Sequence, residues 1–102
     1  MVEKSWSDKT KLDVWNKGEI VSDHDETEYR KDQCGAWMQY SKHGDRNSSF
    51  GWEIDHIKPE SAGGSDNLSN LRPLQWENNN AKSDGKLTCP VISNGKSNIR
   101  SK

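Results

Sequence analysis

Asp55 and His56 stand side by side in the middle of this chain, Asn70 follows beyond a loop, and Asn79 and Lys82 lie further on. These residue types suit hydrolytic chemistry. A neutral imidazole, with a pKa near ~6.5, can take a proton from water at neutral pH. Carboxylate and amide oxygens are hard ligands for Mg²⁺ or Mn²⁺. Lysine can meet a phosphate as a point charge.

Three local elements must position these side chains. Gly51 to Ile57 alternates as a strand, with Trp52, Ile54 and His56 on one face and Glu53, Asp55 and Ile57 on the other. Pro59 cannot donate to a ladder and ends it. The loop Glu60 to Ser69 is rich in Gly, Ser, Asp and Asn, and Gly63-Gly64 is read as a structural turn. Asn70 to Gln75 is a returning strand, at an edge because of Pro73. Trp76 to Asp84 reads as a helix capped by Gly85. Its three consecutive asparagines are poor helix formers, which is expected where function overrides local preference. Strand, loop, strand and helix thus form a ββα arrangement built around one metal ion. Adjacent strand residues point to opposite faces, so Asp55 and His56 can serve one phosphate only if the strand twists or ends there.

The ordered set Asp55-His56-Ile57, Pro59, Gly63-Gly64-Ser65-Asp66, Asn70-Leu71, Pro73-Leu74, Asn79 and Lys82 resembles the motif of the HNH endonuclease family over residues 51–85. The resemblance implies that His56 is the general base, that Asp55 and Asn79 are the protein ligands of one divalent ion, Mg²⁺ or Mn²⁺, and that Asn70 braces the loop at the catalytic centre. It implies hydrolysis of DNA phosphodiesters to a 5′-phosphate, with RNA left open. Lys82, Arg72 and Lys58 are the candidates for contact with nucleic acid. The alternative is a nucleic-acid-binding module that keeps the fold without turnover.

Many HNH domains carry two Cys-x-x-Cys pairs around a structural zinc. The matching positions here are Lys31 with Cys34 and Gln75 with Asn78, and one thiol cannot build a four-coordinate site. The expectation is therefore no structural zinc, with Trp37, Trp52 and Trp76 stabilising the domain instead.

With 102 residues, 28% hydrophobic and 30% charged, the chain has room for one small core, placed around those three tryptophans. The expected fold is α+β: a small ββα-metal (HNH/His-Me finger) core with an N-terminal extension of short helices and a strand. Its parts are residues 1–33, an extension packed on the core; 34–85, the nuclease core; and 86–102, a basic tail.

In the extension, Leu12, Val14 and Trp15 suggest a short helix before Gly18, Ile20-Val21 an extended piece, and Thr27 to Arg30 the start of a second helix ending near Gly35. Ala36 to Tyr40 reads as a strand, Lys42 to Ser49 as turn, and Leu87 to Ile92 as a strand in an otherwise polar tail.

The net charge of −1 argues against binding nucleic acid by bulk positive charge, although 86–102 has four basic residues and no acidic one. That tail reads as solvated more readily than as a phosphate contact. His24, in the run Asp23-His24-Asp25-Glu26, and His43 read as structural or solvated. Cys34 and Cys89 read as two reduced thiols. No run approaches the roughly 18 apolar residues of a membrane span, and the expected setting is intracellular and cytoplasmic. The expected partners are DNA and a targeting protein, for a monomer or homodimer.

Overall fold

In the computed structural model, which describes residues 5–82 and 85–101, helices and antiparallel strand pairs alternate along the chain. The first element, α1 (Asp8–Trp15), starts where the Ser7 hydroxyl accepts from the Thr10 amide, and it buries Val14 and Trp15. Instead of a second helix, Tyr29–Lys31 forms β1, paired antiparallel with β2 (Trp37–Gln39). The tertiary demand on Arg30 explains the correction. Its buried guanidinium donates to the carbonyls of Glu26, Asn16 and Gly18, so it closes the open C-terminal end of α1 from across a strand.

β3 (Trp52–His56) and β4 (Leu71–Gln75) pair antiparallel in the register Trp52↔Gln75 to His56↔Leu71, and α2 (Trp76–Ala81) follows at once. The helix is shorter than the sequence suggests, because Lys82 has left it (φ −66°, ψ 146°), and Ser83 and Asp84 lie outside the described residues. Gly63 takes a φ of +88°, and a Cβ on Gly64 would lie 1.7 Å from the Lys58 carbonyl oxygen, so both glycines are required by the loop itself.

The basic segment is a hairpin. β5 (Val91–Asn94) pairs with β6 (Ser97–Arg100), and it docks because Asn98 exchanges hydrogen bonds with the Trp37 backbone while Trp37 Nε1 donates to the Gly95 carbonyl. The docking also corrects the reading of two free thiols: Cys34 and Cys89 form a disulfide, their Cα atoms 5.3 Å apart. Their separation of 55 residues hid the pairing from the sequence. No helix among the described residues is long and apolar enough to cross a membrane.

The core is Val14, Trp15, Met38, Trp52, Ile54 and Leu71, with Trp6 and Tyr40 packed against it. Trp15 therefore joins Trp52 at the centre, whereas Trp76 is only half buried and Trp37 holds the hairpin. The zinc-matching positions Gln75 and Asn78 are held by a carboxylate. Asp32 Oδ1 accepts from the amides of Cys34 and Ala36, and Oδ2 from the Gln75 amide and the Asn78 side chain. Burial raises the Asp32 pKa, against those same hydrogen bonds, which lower it.

Asp32→Ala would leave several buried donors unpaired, and should lower the unfolding free energy by at least about 2 kcal/mol in urea titrations. The double variant Cys34→Ser/Cys89→Ser should lose roughly 2–4 kcal/mol in the same assay.

Candidate active site

Both faces of β3 carry polar groups at its C-terminal end. The Asp55 side chain is 3% exposed, yet its carboxylate meets two cations. Oδ2 accepts from Arg72 Nε at 2.7 Å, and Oδ1 pairs with the Lys82 ammonium, which also donates to the His56 carbonyl at 2.9 Å. Register puts Arg72 directly opposite Asp55, and the exit of the chain from α2 puts Lys82 over the strand end. Two residues earlier on the same face, buried Glu53 takes two hydrogen bonds from Arg46, at 2.7 and 2.9 Å, and one from Asn79 Nδ2 at 2.8 Å. The Asn79 amide nitrogen is thus committed to Glu53, and its amide oxygen is the atom left for a cation.

β3 stays regular through His56, and pairing continues from the Ile57 amide to the Asn70 carbonyl at 2.8 Å. The pairing therefore runs through Asp55 and His56 without a break, and strand alternation sends their side chains to opposite faces. His56 Nε2 lies 2.7 Å from Asp66 Oδ1, and its ring packs 5.8 Å from that of Trp6. The structure brings together Asp55, Arg72 and Lys82, places Asn79 beside Glu53, and puts the His56 ring on the other side. Two of the three candidate phosphate contacts, Arg72 and Lys82, are directed at Asp55, while Lys58 is exposed.

Asn70 makes its contacts to backbone. Its side chain accepts from the Lys58 amide and donates to the carbonyls of Lys58 and Ser65, closing the loop between β3 and β4. Asp66 follows one residue after Ser65, so this closure also holds the partner of His56. The sequence reading gave no role to Glu53, Arg46 or Asp66. Alternation from Asp55 places Glu53 on the same face, and Asp66 belongs to the quoted motif; Arg46 carried no signal.

Two groups of oxygen and nitrogen donors could receive a cation. At Asp55 a carboxylate oxygen and the His56 carbonyl already hold the ammonium of Lys82, which stands where a positive ion would sit, so hard-donor chemistry fits there. On the opposite face, ligand atoms of His56, Glu60 and Asp66 lie within 4.8 Å of one another.

Residues 41–85 match the family model for the HNH endonuclease. No match was found among curated proteins or among solved structures.

Asn70→Ala would remove all three bonds that close the loop. Amide hydrogen exchange at Lys58 should accelerate at least tenfold, with the core amides of β3 unchanged.

Proposed function

With an HNH endonuclease domain at residues 41–85, we propose that this protein hydrolyses phosphodiester bonds of DNA with one divalent ion held by Asp55 and Asn79. The observation that carries the reading is the buried Asp55 carboxylate, which gathers positive charge at the end of the strand bearing His56.

In this proposal His56 is the general base. Asp66 accepts from Nε2–H, which leaves Nδ1 as the nitrogen that takes the proton from the attacking water. Trp6 packs against the ring and limits its rotation. Arg72 holds one Asp55 oxygen in place, so that the other faces the cation position. An Mg²⁺ or Mn²⁺ ion bound there would supply Lewis-acid polarisation of the phosphate and stabilise the leaving oxygen. An ion held there would stand in place of the Lys82 ammonium at Asp55 Oδ1, and Lys82 would then be the contact for a phosphate oxygen. Asn70 acts on the reaction only through the loop that carries Asp66.

A second reading, a nucleic-acid-binding module without turnover, is favoured by two observations: both Asp55 oxygens are already engaged by basic side chains, and the Asp55 and His56 side chains leave a regularly paired strand on opposite faces, against the requirement that both serve one phosphate. A divalent ion at His56, Glu60 and Asp66 would likewise make the imidazole a ligand and remove the base.

Nicking of supercoiled plasmid in Mg²⁺ or Mn²⁺ should fall about 10²–10⁴-fold in His56→Ala. EDTA should abolish it. Equal rates in wild type and variant, or no cleavage by wild type in either metal, would leave the binding module as the answer.

Calorimetric titration with Mn²⁺ supplies a readout apart from activity. Binding should be lost in Asp55→Asn, retained in Glu60→Gln, and tightened several-fold in Lys82→Met, which removes the competing ammonium. Loss in Glu60→Gln with retention in Asp55→Asn would move the ion to the opposite face.

A further inference from the structure

Outside the catalytic face, three aromatic residues and a histidine gather around an open cleft instead of joining the core. Tyr29, Trp37, Phe50 and His24 line a space of about 570 Å³, together with Ser22, Asp23 and Lys96. That volume is within the range of small-ligand sites. Trp37 is nearly buried and forms the floor, with the His24 ring 4.5 Å from it; Tyr29 and Phe50, both half buried, meet edge to face at 6.4 Å. Phe50 is the chain's one phenylalanine, and it is spent here.

The polar rim is as informative as the rings. Lys96 sits in the turn between β5 and β6, and that turn is fixed to the floor of the cleft by the 2.7 Å bond from Trp37 Nε1 to Gly95. The basic segment thus brings a positive charge to the mouth of an aromatic cleft. Asp23 and Ser22 supply a carboxylate and a hydroxyl at the same mouth.

A planar heteroaromatic ring with N–H donors on its edge and an attached phosphate complements all of these features together. The half-buried rings of Tyr29 and Phe50 offer stacking faces beside the covered Trp37, Asp23 and Ser22 meet the donors, and Lys96 meets the phosphate. A base within a duplex has both faces covered by its neighbours, so only an unpaired one can enter. We infer that this cleft is a second nucleic-acid site, which takes an unpaired base of a single strand, or of an opened stretch of substrate, apart from the point of cleavage. The inference rests on the nucleic-acid reading above for the identity of its ligand. It gives His24, Trp37 and the basic hairpin a joint role that the cleavage chemistry does not use.

The experiment is fluorescence anisotropy of the full chain with a labelled single-stranded DNA of mixed sequence, in EDTA so that nothing is cut. RNA of the same sequence and an abasic DNA strand form parallel arms. Tyr29→Leu and Phe50→Leu keep an apolar side chain in place and remove the ring. Each should weaken binding of the base-bearing strand about tenfold. Whichever strand, DNA or RNA, shows that loss is the ligand, and the abasic strand should not distinguish the variants from wild type.

Lys96→Gln, an exposed substitution that leaves the core untouched, should flatten the dependence of log affinity on log salt by about 0.7. Wild-type affinity in all three variants, a loss on the abasic strand equal to that on the base-bearing strand in Tyr29→Leu or Phe50→Leu, or no single-strand binding at all would overturn the inference. Plasmid cleavage reports separately on the nuclease reading. A chain that cuts while the cleft variants bind normally loses only the cleft, and one that binds through the cleft without cutting loses only the catalysis.

Discussion

The hydrogen bonds converging on Asp32 hold the parts of this molecule in register. One buried carboxylate accepts from the loop between β1 and β2, from the first turn into α2 and from the side chain of Asn78. Asn78 in turn exchanges bonds with the backbone of Val91 in both directions, which fastens β5 to α2. Gln75 adds its side-chain oxygen to the amides of Glu77 and Asn78, fixing the direction in which the helix leaves β4. A short helix of poor formers, Trp76–Ala81, would be marginal alone. Here its start is pinned from two sides, and its far end can therefore deliver Asn79 and Lys82 to fixed places.

That arrangement explains how the chain manages with so few apolar residues. A carboxylate, an amide side chain and a disulfide join the β1–β2 loop to the start of α2 and to the segment that carries β5. Such a hub costs desolvation of Asp32, visible in its raised pKa, and offsets the cost with four donors. The core proper then needs only a few large rings, Trp15 and Trp52 at its centre.

What the sequence revealed and what it hid divide along physical lines. Alternation and punctuation located β3 and β4, because Trp52, Ile54, Pro59 and Pro73 carry strong local signals. The helix at Leu12 to Trp15 was legible for the same reason. Arg30 was read as part of a helix because its real constraint, the carbonyls of Asn16 and Gly18 in another segment, is non-local. The hairpin and the disulfide were hidden likewise: Asn98 and Cys89 look polar and isolated until the chain brings Trp37 and Cys34 to them. At the site, the residue types were legible, whereas their partners were not. Nothing local says that Lys82 folds back onto Asp55, or that Asp66 meets His56.

The charge pattern around β3 connects the fold to the proposed chemistry. Glu53 and Asp55 are buried carboxylates on one face, each matched by basic groups, so neither buried charge is left bare. The His56 ring stands on the other side of the same strand, and its carbonyl shares the Lys82 ammonium with Asp55. Crystals soaked in Mn²⁺ and measured by anomalous scattering test this account most directly. It predicts one peak bonded to an Asp55 carboxylate oxygen and the Asn79 amide oxygen, with the Lys82 ammonium displaced from Asp55. A peak on His56, Glu60 and Asp66 with the Lys82–Asp55 pair intact would contradict it.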